Sequence, residues 1–293
     1  MRRLDVPSRS NYAVKGVESM RYGFVLPGGG PREAAELAHE AEAAGWDGFF
    51  VWDSVWGLDP WVMLAAVAMH TERVRIGTML TPVSRRRPWK LAGETTTLDH
   101  LSGGRLVLSV GLGAPDTGFA EFGEETDRRI RAELLDEGLD ILTGLWRGQP
   151  FNYDGKHYRV RETTFMAPPP PVQSPRIPIW VVGLWPSTRS MNRVARYDGL
   201  LPLKKNEDGD FTGVTPADIR EMKAFIESRR TETTPFDIVT EGETPGDDPA
   251  RAVETLQPLA DAGVTWWLET MWSPPNSPED VHARLRQGPP RID

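Results

Sequence analysis

From residue 21 onward, a short apolar run followed by a helical pattern recurs eight times. A chain built this way is confined to a parallel sheet covered by helices, because each strand must return to the same edge through a crossover. Predicted strands cover residues 22–26, 48–52, 74–80, 105–110, 177–183, 199–203, 236–240 and 265–270. The intervening helices cover 32–44, 60–70, 91–101, 127–146, 187–196, 215–230, 249–262 and 277–286. Such units close into a barrel or stay open as a doubly wound sheet. Eight of them within one domain length favour closure, so the expected fold is α/β: a (β/α)8 TIM barrel with an insertion between strands 4 and 5.

Local punctuation agrees with this division. Gly45 and Ser102-Gly103-Gly104 stop helices, and Thr215-Pro216 pairs an N-cap with a first-turn proline. Between Gly148 and Pro178 the alternation breaks. A hairpin is expected there, turning near Asp154-Gly155, followed by an extended run through Pro168 and Pro175. An insertion of this length is expected to be functional. Residues 1–19 are polar and read as a flexible arm, with Met20 an alternative start of translation; 20–293 read as one domain that contains the 148–178 insertion.

The net charge of −8 argues against nucleic acid or an anionic membrane as a partner. Arg85-Arg86-Arg87 is the single basic run and is expected to be a solvated loop. With no cysteine there is neither a disulfide nor a thiolate site, and no histidine stands at a metal-binding spacing, so no metal centre is expected. No apolar run reaches the roughly 18 residues of a membrane span, and a signal-peptide core is missing. A cytoplasmic location is the corresponding expectation.

The densest pattern lies between Leu91 and Gly113. Leu91, Thr95, Leu98 and Leu101 share one predicted helical face, the glycine turn follows, and the next strand ends at Gly111-Leu112-Gly113, where a ligand can approach the backbone. Leu98-Asp99-His100-Leu101-Ser102-Gly103-Gly104-Arg105-Leu106 followed by Val110-Gly111-Leu112-Gly113 resembles the signature of the bacterial luciferase-like family. The resemblance implies a flavin- or deazaflavin-dependent oxidoreductase or monooxygenase on a TIM barrel, using coenzyme F420 or FMN on a small organic substrate. It also implies a homodimer and a flavin reductase or deazaflavin-reducing enzyme as partner.

Barrel active sites lie at the carboxyl ends of the strands. Asp53, which matches the family's acidic residue after strand two, is the catalytic candidate, although Ser54 stands where several deazaflavin-dependent relatives carry histidine. Cofactor-binding candidates are Thr78, Gly111, Gly113, Gly183, Leu184, Trp185 and Ser187. Gly183 to Ser187 open a helix, whose free N–H groups suit a phosphate, and in the resembling family the cofactor phosphate sits near that end. The same resemblance places a bulge, often with a cis non-proline peptide, in strand three beneath the flavin ring, with Thr78 beside the ring. Lys204, Lys205 and several of the 11 tryptophans also fall near strand ends. Two rivals remain open: glycoside hydrolysis by two of Asp53, Glu241 and Glu269, and a noncatalytic flavin-binding barrel.

Overall fold

The computed structural model describes residues 19–272 and 277–292. Of the expected arm over 1–19, residues 1–18 lie outside the described residues. Eight parallel strands among the described residues form the barrel: β1 (Arg21–Leu26), β2 (Gly48–Val51), β3 (Arg75–Thr78), β4 (Leu106–Gly111), β5 (Ile179–Trp185), β6 (Gly199–Lys205), β7 (Asp237–Gly242) and β8 (Trp266–Glu269). Each pairs with its successor, and β1 pairs with β8 (Arg21 opposite Trp266), so the sheet closes.

Helices α1 (Pro31–Ala44), α2 (Pro60–His70), α3 (Pro88–Ser102), α4 (Arg128–Trp146), α5 (Thr188–Val194), α6 (Pro216–Arg229), α7 (Pro249–Ala262) and α8 (Pro278–Arg286) follow the strands in turn. Their starts follow from capping chemistry. Asp59, Asp127, Ser187, Thr215, Asp248 and Ser277 each accept a first-turn backbone N–H through the side chain. On α3 the expected face holds for Leu91, Thr95 and Leu98. Leu101 instead is 41 % exposed, and Ser102 completes the buried stripe one residue later.

Alternation along the strands sorts side chains to the two sides of the sheet. Outward residues join one large core beneath the helices, whereas Val25, Phe50, Met79, Val107, Trp180, Leu201, Val239, Trp266 and Leu268 form a separate cluster inside the barrel. Phe50, Trp180 and Trp266 fill its middle with ring centroids 5.3–6.3 Å apart. Room for Phe50 is made by missing side chains: a Cβ on Gly23 or Gly48 would lie within 2.8 Å of its ring. The barrel is thus solid up to its carboxyl rim.

Two departures from regularity shape that rim. Gly77 pairs with Val107 but Thr81 with Val110, so one extra residue is accommodated in the third strand. The Met79–Leu80 peptide inside this bulge is cis. The 148–178 insertion forms the expected hairpin from Tyr153–Asp154 and Arg159–Val160. It is fastened to the outside of the barrel: Glu137 of α4 accepts the backbone N–H groups of Lys156, His157 and Tyr158, and Gln173 bonds Asp99 and the Leu106 carbonyl.

Candidate active site

At the carboxyl rim lies a cavity of about 1230 Å³. Its floor is apolar, made by Met79 and Leu80 of the bulge with Gly111, Val182 and Leu184. Gly111 belongs there for a steric reason, since a Cβ would come within about 3.1 Å of Leu80 and Val182. Gly113 has φ +73°, and a Cβ would strike Phe119 and Pro82. Both glycines line the cavity, as do Asp53, Leu184 and Ser187.

Thr78, Gly183 and Trp185 do not line it. Strand parity is the reason. Thr78 is fully buried behind the sheet with its hydroxyl 2.8 Å from that of Thr81. β5 runs on to Trp185, so Val182 and Leu184 point inward while Gly183 and Trp185 point outward. A Cβ on Gly183 would lie 2.4 Å from Leu200 and 3.0 Å from Met191 of α5, and Trp185 packs edge-on against Phe225 of α6. Ser187 caps α5, and the hydroxyl of Ser190 accepts the Leu184 N–H at 2.9 Å.

Asp53 is buried and both its oxygens accept hydrogen bonds from Arg86 at 3.0–3.3 Å, with Arg85 at 3.8 Å. Burial pushes its carboxyl above the usual range against the pull of the two arginines. The basic triplet is therefore not a solvated loop: Arg85 and Arg86 turn in to Asp53, and only Arg87 is exposed. The partner sits some thirty residues upstream, beyond what local composition can show.

The three strand-end carboxylates separate into different settings. Glu269 faces outward and is tied to Thr244, Trp267 and Arg284, away from the cavity. Glu241 faces inward and lines the cavity. Its single partner among the described residues is the Trp272 indole N–H at 3.5 Å. Solvent reaches it through the mouth, but protein on the other sides removes hydration and raises its pKa. Trp52 and Trp272 stand beside it, edge to face at 6.4 Å. Of the other tryptophans near strand ends, Trp266 is barrel interior, Trp267 faces outward, Trp61 lies under Arg86 and Trp56 stacks on Phe122.

Cations enter from the opposite side. Arg128, Arg129 and Arg131 come from α4, Arg189 and Arg193 from α5, and Lys205 from β6. Arg193 is neutralised by Asp136. Arg131 is not: only 4 % exposed, it donates to the Leu112 and Gly113 carbonyls and lies 5.4 Å from the Phe119 ring, with no carboxylate at ion-pair distance among the described residues; Glu125 and Asp127 act on it only from farther off. Its Nε is buried without a hydrogen bond. Lys204, by contrast, faces outward onto Asp218 at 2.7 Å.

A family model described as luciferase-like monooxygenase matches residues 18–288. An F420-dependent glucose-6-phosphate dehydrogenase of Nakamurella multipartita is 34 % identical over 188 residues, which are 59 % of this chain and 52 % of that protein. The matched part spans about half the length of such curated relatives or less. Among solved structures, an F420-dependent secondary alcohol dehydrogenase in complex with an F420-acetone adduct superposes with a TM-score of 0.72 at 16 % identity, covering 92 % of this chain and 96 % of that one. The oxygenating constituent of 3,6-diketocamphane monooxygenase of Pseudomonas putida, in complex with FMN, gives 0.70 at 14 % identity over 92 % and 96 %. These two likenesses establish the barrel.

Proposed function

The chain belongs to the luciferase-like monooxygenase family, and from that premise we propose that it is a deazaflavin-dependent oxidoreductase acting with coenzyme F420 on a small organic substrate. The observation that carries the reading is Arg131. A guanidinium hidden from solvent with its nearest carboxylates, Glu125 and Asp127, beyond ion-pair distance is costly, and an anionic ligand in the cavity offsets that cost. F420 combines a flat ring with a phosphate and a glutamate-bearing tail. The apolar floor at Leu80 and Gly111 suits the ring, and Arg128, Arg129, Arg131 and Arg189 suit the anions. The F420-dependent relatives support the deazaflavin over FMN.

Bound there, the deazaflavin supplies a two-electron hydride acceptor or donor, and the protein supplies position and electrostatics. Met79, Leu80 and Leu184 keep the floor dry, and Gly111 leaves it open. Ser187 and Ser190 shape the start of α5 beside the arginines. Asp53 acts in this reading as a positioning residue, tying Arg85 and Arg86, and with them the segment that follows the bulge, to the end of β2. The same family supports a homodimer, and Val62 and Met69 of α2 with Trp89 and Leu101 of α3 leave large apolar side chains exposed for it. It also supports a partner enzyme that recycles the cofactor.

Titrating the purified protein with F420 and FMN, each oxidised and reduced, tests the reading by fluorescence. Tight binding of F420 is expected. Preference for reduced FMN would shift the chemistry to monooxygenation, and binding of neither overturns the proposal.

A further inference from the structure

Charge divides the cavity around the circumference of the barrel. Every lining cation stands on the β4–β6 side, on α4, α5 or β6. The β7–β8–β1–β2 side offers Glu241, Trp52, Trp272 and Pro27, together with Asp53, whose charge Arg86 already meets. Two cavity carboxylates have no ion pair among the described residues, exposed Asp116 on the stretch that follows β4 and Glu241, and of these Glu241 alone stands on this side.

We propose that this side is the substrate subsite and that Glu241 is its catalytic residue, accepting the proton of an uncharged, hydroxyl-bearing substrate. The proposal rests on the deazaflavin reading above. In the oxidative direction the C–H bond of the carbinol carbon breaks and hydride leaves with both electrons for the oxidised deazaflavin. The O–H bond breaks as its proton passes to a Glu241 carboxylate oxygen, and the electron pair left behind completes the C=O bond. Substrate is oxidised, deazaflavin is reduced, and charge balances at the carboxylate. The reverse direction uses the protonated acid as donor.

Three features favour this assignment. A free carboxylate in a recess is available both to accept a hydrogen bond and to take a proton, whereas Asp53 has both oxygens engaged by Arg86. The indole N–H of Trp272 stands 3.5 Å from Glu241 Oε2, and Oε1 has no partner among the described residues. The protein around it raises its proton affinity above that of an ordinary glutamate, although the side chain is exposed at the cavity mouth. The other charges of the cavity are Asp53 and Asp116, Arg128, Arg129 and Arg131, Arg189 and Arg193, and Lys205, and none of them shifts Glu241; burial and Trp272 do.

The same features fix the substrate class. A phosphate or carboxylate on this side meets Glu241 without a lining cation to offset the repulsion. An uncharged alcohol meets two aromatic walls and a hydrogen-bond acceptor.

The test uses the full chain in three measurements. In the apoprotein, Trp272 emission followed against pH should show a transition above the ordinary glutamate value of about 4.3, and E241Q and W272F should lack it. A missing transition in wild type overturns the role of Glu241. Oxidised F420 should bind wild type and E241Q with affinities within about threefold. If wild type fails to bind, the cofactor reading falls and the hydride step with it; if only E241Q fails, Glu241 belongs to the cofactor side and this proposal is overturned. Finally, F420 reduction is followed with 2-propanol, cyclohexanol and glucose 6-phosphate. An uncharged alcohol should be oxidised, with kcat/KM falling about 10²-fold or more in E241Q and the acid limb of the pH profile lost. Turnover with glucose 6-phosphate alone, turnover with none of the three, or an unchanged E241Q profile overturns the proposal.

Discussion

The two sides of the cavity share a floor but solve opposite electrostatic problems. On the β4–β6 side, Arg131 is a positive charge hidden from water without an anion beside it. On the β7–β2 side, Glu241 is a negative charge in a recess with an indole as its neighbour. Several buried charges elsewhere are paired, Glu269 with Arg284, Asp53 with Arg86 and Arg193 with Asp136, whereas buried Asp99 is met by the neutral amide of Gln173. Leaving two groups of opposite sign unpaired across one cavity makes sense where ligands complete them. One side awaits an anion and the other a proton donor.

Four substitutions break or sharpen that contrast. The largest expected effect is at Arg131. R131Q keeps a donor for the Leu112 and Gly113 carbonyls but removes the charge, so F420 affinity should fall about 10- to 100-fold, roughly 1.4–2.7 kcal/mol, while the melting temperature of the apoprotein holds or rises. Unchanged affinity in a fluorescence titration would dissolve the distinction between the sides. Next comes G183A, where a Cβ driven against Leu200 and Met191 should cost about 1–3 kcal/mol in denaturant unfolding. Its F420 affinity should survive, because the residue faces away from the cavity; a selective loss of binding would show that parity misplaces it. S187A removes the cap of α5 and should cost about 1 kcal/mol. If Ser187 also donates to a phosphate, the loss in F420 affinity will exceed that in stability.

The smallest effect is a pH dependence. A raised folded pKa at Glu241 means that the folded protein holds this proton more tightly than the unfolded chain does. Its contribution to stability is present at low pH and is lost as pH rises through the folded pKa. E241Q should therefore match wild type near pH ~4, the unfolded glutamate value, and melt slightly higher above the folded pKa. Thermal melts across pH check the sign.

Much of the frame was legible because it is local. Helix starts at Asp127, Ser187 and Thr215 are written in capping chemistry, and α2 and α7 have the bounds expected of them. The site was less legible, for two physical reasons. Strand ends slip by a residue or two, and each slip reverses which side chain faces inward. Ending the fifth strand at Gly183 makes Gly183 and Trp185 look like site residues, whereas continuing it to Trp185 keeps only Leu184 inside. Thr78 lies before the bulge in regular register with outward-facing Val51, so plain alternation keeps it out of the cavity. Long-range pairing is the second reason, for nothing near Arg86 announces Asp53.

The densest motif teaches a related lesson. Asp99 and Arg105, which carry the family resemblance, sit at the opposite end of β4 from the cavity. Arg105 bonds the backbone carbonyls of Ala68, Thr71, Val74 and Ser102, and Asp99 receives Gln173 of the insertion. These residues brace the barrel floor. Nor does the insertion cover the cavity, since none of residues 148–178 lines it.

The closure between β1 and β8 has a consequence for how the cavity comes into being. The cation-bearing wall is drawn from the middle of the chain, where β4, β5 and β6 follow one another. The Glu241 wall is drawn from both ends, meeting across the pairs Arg21–Trp266 and Phe24–Glu269. Contacts between segments this far apart in sequence carry the greatest loop-closure entropy. The Glu241 wall is therefore the entropically costlier of the two to assemble.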